Sequence, residues 1–140
     1  MADHHKETFI TKYIFSQDHK MIAKQFLITG MFMALVGMLM SAIFRVQLAN
    51  PGESSILYSL LPGSWVNEAG ALNPDKYLAL VTMHGTILVF WVLTAGLSGT
   101  FANFLIPLQI GARDMASGFL NMISYWLFFI ATVILIASIY

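Results

Sequence analysis

Residues 25–44 read QFLITGMFMALVGMLMSAIF, a run of 20 residues without a formal charge between Lys24 and Arg45. At about 1.5 Å rise per residue, a helix of this length crosses a hydrocarbon layer of roughly 30 Å. The run is longer than the apolar core of a secretory signal peptide and starts too far from Met1 to be one. It therefore predicts a membrane-spanning helix at about residues 25–45.

A second uncharged run of 36 residues lies between Lys76 and Arg113. The tripeptide Asn73-Pro74-Asp75 is typical of a helix start and Pro107 of a helix end. We therefore predict a second membrane helix at about residues 77–106.

A third uncharged run occupies residues 115–140 and is again long enough to span. It reaches Tyr140 without the interfacial charges that usually finish a membrane helix.

Because all three uncharged runs are long enough to span a membrane as helices, the expected fold class is an all-α membrane protein. Its three helices form one membrane domain over residues 1–140, as part of a longer polytopic bundle.

Composition supports this interpretation and excludes several functions. Hydrophobic residues make up 58% of the 140 residues, and only 10% are charged, against roughly 25% in soluble domains. Seven basic residues balance seven acidic ones, so no net field attracts nucleic acid. There is no cysteine, which excludes disulfides, thiolate metal sites and iron–sulfur clusters in this chain. Any metal here must bind through histidine, carboxylate or methionine.

The charges predict the orientation in the membrane. Three acids and only one lysine occupy the loop after the first helix, whereas four of the seven basic residues precede that helix: Lys6, Lys12, Lys20 and Lys24. Because basic residues favour the cytoplasmic side, we expect the N-terminus in the cytoplasm and this loop outside. The turn that carries Arg113 is then internal.

His84 is the only ionisable residue within the three predicted spans. Such residues are costly at membrane depth and are candidates for ligation, pairing or a polar cavity. A hydrogen bond to a neighbouring helix is the alternative. Gly85, beside it, favours ligation slightly, because a residue without a side chain allows a flat macrocycle or another helix to approach closely.

Arg45 ends the first span on the same side of the membrane as His84. A guanidinium at this depth can donate to the oxygen atoms of a ligand. An arginine at a helix end more often extends to the lipid headgroups, and from Arg45 alone that alternative is favoured.

Asp114 lies in the internal turn, with Asn103 at the end of the second helix and Asn121 two turns into the third. Amides order water without holding charge, and a carboxylate at a membrane rim can collect protons. The alternative is that Asp114 caps the third helix and that the asparagines join helices. Gly96 and Gly99 share a helix face with Asn103, which predicts close helix packing there.

Several motifs occur in an order and spacing typical of one known family. They are Asp18-His19-Lys20-Met21-Ile22, Arg45-x-x-Leu48-x-x-Pro51-Gly52, Met83-His84-Gly85, Asn103-Phe104-Leu105-Ile106-Pro107 continuing to Asp114-Met115-Ala116, and Asn121-x-x-Ser124-Tyr125-Trp126. Over nearly its whole length the chain resembles the first three transmembrane helices of subunit I of the haem–copper oxidases, in the cytochrome c oxidase branch.

The resemblance implies a role for each of five residues. His84 matches an axial ligand of the low-spin haem iron, and Arg45 matches the arginine that hydrogen-bonds the formyl group of that haem when it is haem a. Asp114 matches the entrance of a proton channel, and Asn103 and Asn121 match asparagines that order water near its mouth.

The resemblance also implies the setting. The high-spin haem and copper would be bound by later helices, so this segment alone would be inactive. The complete subunit would reduce oxygen to water with electrons from cytochrome c, or from quinol, and pump protons. It would assemble with subunits II and III in a bacterial plasma membrane.

One residue departs from the family pattern. Gln47 stands where many relatives carry a glutamate that helps to hold a calcium or sodium ion, which puts that cation site in doubt. Two other functions stay open: a non-catalytic three-helix membrane subunit, in which His84 joins two helices, and a b-type cytochrome that only transfers electrons.

Overall fold

Three long helices make up most of the structure. The computed structural model describes residues 9–51 and 53–139. Helix α1 spans His19–Ala49, α2 spans Pro74–Gln109 and α3 spans Gly118–Ala137. Each is long and apolar enough to cross a membrane. The described residues contain no strand beyond one isolated bridge. The expected all-α membrane fold is confirmed.

Local sequence explains where the three helices begin. α1 starts before the uncharged run, because the Asp18 carboxylate accepts an N–H of the first turn at 3.3 Å. α2 starts at Pro74, whose missing N–H costs nothing in a first turn. α3 starts at Gly118 rather than residue 115, because the Ser117 hydroxyl caps it through an N–H at 3.4 Å. Both α1 and α2 also run a few residues past their predicted ends.

The middle of α2, Ile87–Leu97, is π-helical. The Thr94 hydroxyl donates to the Val89 carbonyl, five residues earlier, at 2.8 Å. Single-turn π-bulges are often found at functional sites, and this longer segment begins three residues after His84. No motif in the sequence predicts it.

Glycine contacts hold α1 against α2. A Cβ added to Gly30 would lie 3.0 Å from the Cα of Gly96, so the two backbones touch. A Cβ on Gly99 would lie 2.7 Å from the ring of Phe26. The close packing predicted for the glycine face of α2 is therefore confirmed.

Helix α3 packs on the other two helices through aromatic residues that also hydrogen-bond. The Tyr125 hydroxyl lies 3.2 Å from the Thr29 hydroxyl of α1. The Trp91 indole of α2 donates to the Thr132 hydroxyl of α3 at 2.9 Å. Large apolar side chains on the outer faces of all three helices stay exposed, as expected where lipid or further helices surround them.

The bundle has two distinct ends. The N-terminal end holds the start of α1, the end of α2 and the start of α3. The opposite end, called here the loop end, is covered by residues 50–51 and 53–73, which include two short 3₁₀ helices, Ile56–Leu60 and Gly63–Trp65. Buried side chains of this loop join α1 in one apolar cluster that includes Tyr58, Trp65, Leu72, Met40 and Ile43.

Candidate functional site

His84 lies in α2 and faces α1. Its Nδ1 is 2.8 Å from the carbonyl oxygen of Gly37. A carbonyl only accepts, so Nδ1 carries the proton and donates. In the neutral imidazole the other nitrogen, Nε2, then keeps its lone pair free. That pattern, one nitrogen anchored and one available, is the usual arrangement of a metal-ligating histidine.

Two neighbours of His84 shape the space around the imidazole. The Phe44 ring meets it edge to face, with ring centroids 5.3 Å apart. A Cβ added to Gly85 would meet no heavy atom of the described residues within 4 Å. The imidazole is therefore held on the α1 side, and the chain leaves room on the Gly85 flank. These features fit a flat macrocycle bound through Nε2.

Arg45 follows Phe44 at the loop end of α1 and is exposed. Within residues 9–51 and 53–139 its side chain makes no hydrogen bond or ion pair. The structure therefore places Arg45 and His84 near the same end of the bundle, as expected, without a direct bond between them. Its guanidinium donors remain available to a ligand.

Asp114 lies at the N-terminal end of the bundle, between α2 and α3, and contacts the start of α1. Its Oδ1 accepts from the Met115 N–H at 2.8 Å and from the His19 N–H at 3.3 Å, and it lies 3.0 Å from the His19 Nδ1. Burial raises the pKa of Asp114, but the hydrogen bonds from Met115 and His19 and the charge of His19 outweigh it and hold that pKa below its usual range. Asp114 is therefore ionised at neutral pH.

The alternative that Asp114 caps the third helix is wrong. Ser117 caps α3 instead, because its hydroxyl accepts the Leu120 N–H in the first turn of that helix. Asp114 instead binds the first N–H of α1, from a turn 95 residues away in sequence. It thus ties the start of α1 to the turn between α2 and α3.

Sequence reasoning missed His19 as part of this cluster. Its side chain is buried, and its Nδ1 lies 3.5 Å from Asp18 as well as 3.0 Å from Asp114. One ligand atom from each of these three groups lies within 4.8 Å of the others. The only available signal was the Asp18-to-Ile22 motif, which has no local spacing that points to Asp114.

The two asparagines are both near the N-terminal end, and each has a buried polar atom without a partner in the described part of the chain. Asn103 donates to the Gly99 carbonyl at 2.7 Å, but its Oδ1 has no partner among the described residues. Asn121 has an unpaired buried Nδ2. One is an acceptor and the other a donor. Since buried polar groups are nearly always paired with protein or water, both atoms fit ordered water.

Unpaired buried side-chain atoms in the described part of the chain are confined to the N-terminal end of the bundle. These atoms, which lie at the start of α1, the end of α2 and the start of α3, are His19 Nε2, Gln25 Oε1, Asn103 Oδ1, Asn121 Nδ2 and Trp126 Nε1. Among the described residues, the buried side-chain atoms that could pair with ordered water therefore lie at this end of the bundle.

Gln47 has a different role from the one the family pattern gives that position. Its Oε1 accepts from the Tyr58 hydroxyl at 2.8 Å and from the Leu72 N–H at 3.1 Å. Burial raises the pKa of Tyr58, so its hydroxyl remains a donor. Because the amide oxygen is occupied by two donors, Gln47 does not fit a cation ligand. Gly52, in the Pro-Gly turn next to Gln47 in the family pattern, lies outside the described residues.

Fold and site together define a class: an all-α membrane protein with an anchored histidine at one end and an acid–amide cluster at the other. Residues 21–140 match the family model described as Cytochrome C and Quinol oxidase polypeptide I. The chain therefore belongs to this family, the subunit I family of the haem–copper oxidases.

Relatives from three different organisms support this family assignment. The chain is 38% identical over 135 residues to the alternative cytochrome c oxidase subunit 1 of Bradyrhizobium diazoefficiens, covering 96% of this chain and 20% of that one. It is 30% identical over 149 residues to cytochrome c oxidase subunit 1 of Cereibacter sphaeroides, covering 99% and 26%. It is 35% identical over 130 residues to heme-copper oxidase subunit I+III of Aeropyrum pernix, covering 93% and 14%. The chain thus spans between about a seventh and a quarter of the length of these relatives.

Proposed function

We propose that this chain supplies one low-spin haem ligand and a proton-channel entrance to a terminal oxidase. The complete subunit reduces oxygen to water with electrons from cytochrome c and pumps protons, in complex with subunits II and III. Family membership and relatives named cytochrome c oxidase subunit 1 support this proposal. The family name also covers quinol oxidases, so quinol is the second candidate donor.

The observation that carries the haem proposal is the bond from His84 Nδ1 to the Gly37 carbonyl at 2.8 Å. It fixes the tautomer and the ring orientation and leaves Nε2 as the ligating nitrogen. A low-spin haem a bound there supplies reversible one-electron transfer. The high-spin haem and the copper are held by later helices of the subunit.

Arg45 and Phe44 complete the haem side of the proposal. The Phe44 ring packs edge to face against the imidazole and occupies one side of it. The Arg45 guanidinium, which binds none of the described residues, lies at the same end of the bundle, where it can bind a peripheral oxygen of the haem, such as a formyl group.

Asp114 is proposed to take protons from bulk water at the channel mouth. Its carboxylate is about half exposed and is held in place by His19 and Met115. Asn103 and Asn121 carry complementary unpaired atoms and order the water beyond it. The excess of lysines before α1 supports a cytoplasmic location for this end, in a bacterial plasma membrane.

The test uses the complete subunit, purified with its partner subunits. A reduced-minus-oxidised spectrum should contain low-spin and high-spin haem bands, and carbon monoxide should bind the high-spin haem. A protein without haem bands would be a packing subunit, in which the bond from His84 to Gly37 only joins helices. Haem bands without carbon monoxide binding would indicate a cytochrome that only transfers electrons. Either result contradicts the proposal.

A further inference from the structure

A groove runs along the bundle between α1 and α3. Its half nearer the N-terminal end, called here the rim half, has a volume of about 330 Å³, and its lining includes Tyr13 and Trp126. Its deeper half, called here the tail half, has a volume of about 310 Å³, and its lining includes Ile136. Ile28 and Phe129 line both halves. The two cavities therefore form one elongated groove.

The length of this groove matches one leaflet of a membrane. On α3 the groove extends from Tyr125 to Ile136, which corresponds to roughly 16 Å along the helix axis. A hydrocarbon core of roughly 30 Å gives each leaflet a depth of about 15 Å. The rim half begins beside Lys24, the last charged residue before the uncharged run of α1. The groove therefore starts near the membrane surface and ends near the middle of the bilayer.

The hydroxyl groups that α1 and α3 bring to the groove are already paired. The Tyr125 hydroxyl lies 3.2 Å from the Thr29 hydroxyl, and the Thr132 hydroxyl accepts from the Trp91 indole at 2.9 Å. The surface left to a ligand is apolar. Its exposed large side chains are Ile28, Phe32, Phe129 and Val133. A hydrocarbon chain fits this surface, whereas a polar ligand would lose its hydrogen bonds to water.

The segment before α1 forms one wall of the rim half. The Gln25 amide donates to the carbonyls of Tyr13 and Ile14, at 2.8 Å and 3.0 Å. The Phe15 ring stacks on the Trp126 ring, with centroids 5.0 Å apart. These contacts hold a tyrosine and a tryptophan at the mouth of the groove. Such rings are enriched at the level of the lipid headgroups.

Two lysines at the mouth of the groove lack an acidic partner. The Lys12 ammonium lies 5.5 Å from the centroid of the Tyr13 ring. Lys24 precedes Ile28 by one turn on the same face of α1. Both lysines are exposed, and neither pairs with a carboxylate in the described part of the chain. Their charges are therefore available to an anionic group at the membrane surface.

We propose that the groove between α1 and α3 binds one anionic phospholipid, with an acyl chain in the tail half and the phosphate at Lys12 and Lys24. The apolar floor selects a hydrocarbon chain, and the lysines select the negative headgroup. A zwitterionic phospholipid has the same chains and a phosphate but no net charge, so the two lysines attract it less. This inference concerns a lipid site and goes beyond the proposed haem and proton-channel roles.

The first experiment locates the lipid in the complete oxidase. The purified enzyme is reconstituted with phosphatidylglycerol that carries a photoreactive diazirine in one acyl chain, and the crosslinked residues are identified by mass spectrometry. Crosslinks should concentrate on Phe32, Val133 and Ile136. Unlabelled phosphatidylglycerol should compete for them better than phosphatidylcholine. Leu127 is the internal comparison, because it is exposed on α3 next to Trp126 and does not line the groove.

The second experiment counts bound lipids on variants of the complete oxidase by native mass spectrometry. Ile28→Trp places a larger ring where the two halves meet and should lose one bound phosphatidylglycerol. Leu127→Trp makes a similar change outside the groove and should keep it. Replacing Lys12 and Lys24 with glutamine should reduce the preference for phosphatidylglycerol over phosphatidylcholine by about fivefold per lysine. Lys76→Gln, near the loop end, should leave that preference unchanged.

The inference is overturned if Phe32, Val133 and Ile136 crosslink no more than Leu127, because the lipid there would then be ordinary bilayer. It is also overturned if these three positions give no lipid crosslink, since another helix of the complete subunit would then fill the groove. An unchanged lipid preference in the double lysine variant would contradict the assignment of the headgroup. Should Ile28→Trp fail to assemble, the crosslinks of the parent enzyme decide.

Discussion

Arg45 is exposed. It also lies close to the proposed haem ligand, because Phe44, the residue before it, contacts the His84 ring. A positive charge beside a haem stabilises the form that holds the additional electron. Arg45→Met should therefore lower the midpoint potential of the low-spin haem and shift its absorption band. The charged hydrogen bond is worth about 1.5–3 kcal/mol before desolvation offsets part of it. Redox titration followed by optical spectroscopy measures both effects.

Arg45→Lys is the matched variant, since it keeps the charge and loses the planar fork of donors. It should retain much of the potential and still shift the band. If Arg45→Met leaves the band and the potential at the parent values, Arg45 is only an interfacial anchor.

Asp114 allows the structural and proton-transfer roles to be separated. Asn in its place keeps an oxygen that can accept from the Met115 and His19 N–H groups but cannot exchange protons. We expect Asp114→Asn to assemble with normal haem spectra and to lose turnover by at least about tenfold, as when a proton-transferring group is removed. Proton release from reconstituted vesicles should weaken as well.

Asp18→Asn is the control for this prediction, because Asp18 faces the same imidazole from 3.5 Å and carries the same charge. It should turn over close to the parent rate. If Asp114→Asn also turns over and pumps like the parent, the channel opens elsewhere.

The lowered pKa of Asp114 sets the pH dependence. A carboxylate with a depressed folded pKa stabilises the fold above its unfolded pKa, and that contribution is lost as pH falls through the folded value. The loss therefore lies in acid, well below neutrality. Across about pH 6 to 9 Asp114 stays ionised, so the turnover defect of Asp114→Asn should be nearly constant over that range.

The sequence indicated which residues are candidates for a functional role, but it did not indicate which residues their side chains contact. His84 could be selected as a candidate ligand because an ionisable group inside an uncharged run is rare. Its bond to Gly37 could not be predicted, because 47 residues separate the two and the contact depends on how α1 meets α2. The bond between His19 and Asp114 was hidden for the same reason.

Among the helices, the backbone contact of Gly30 with Gly96 fixes the spacing of α1 and α2. A methyl group on Gly30 would lie 3.0 Å from the Gly96 Cα, and backbone moves less readily than a side chain. Overpacking of this kind costs about 1–3 kcal/mol, whereas alanine gains about 1 kcal/mol over glycine in helix propensity. Gly30→Ala should therefore lower the thermal midpoint of the complete oxidase.

Gly63→Ala provides the comparison, because a Cβ there meets nothing within 4 Å in the described structure. Its thermal midpoint in detergent should equal that of the parent. Equal midpoints for Gly30→Ala and the parent would show that the two helices can separate at no cost.

The helices themselves were predictable in number and position, because uncharged runs follow directly from the cost of charge in lipid. Their ends were not. Lys20 and Lys24 fall inside α1, since long basic side chains can reach the headgroups from a helix end. The π-helical stretch Ile87–Leu97 has no signal in apolar periodicity, because the whole run is hydrophobic.

The N-terminal end of the bundle carries Asp114, whereas the loop end carries Arg45. The lysines before the first uncharged run predict that the N-terminal end faces the cytoplasm. The absence of cysteine from this chain makes its orientation measurable by labelling. Glu68→Cys, in the loop, should react with a membrane-impermeant thiol reagent added outside intact spheroplasts. Ala116→Cys, between α2 and α3, should react only after permeabilisation. The reverse pattern would place Asp114 outside and remove it from a cytoplasmic proton path.

Ligation of the low-spin haem by His84 can be tested with the reduced-minus-oxidised spectrum of the complete oxidase carrying His84→Leu. Thr86→Val, which removes another polar side chain from the same stretch of α2, is the control and should have the parent spectrum. His84→Gly supplied with imidazole should recover the band through the added nitrogen ligand. If His84 ligates the low-spin haem, His84→Leu should lose the low-spin band and retain the high-spin haem. A low-spin band of parental position and intensity in His84→Leu would contradict it.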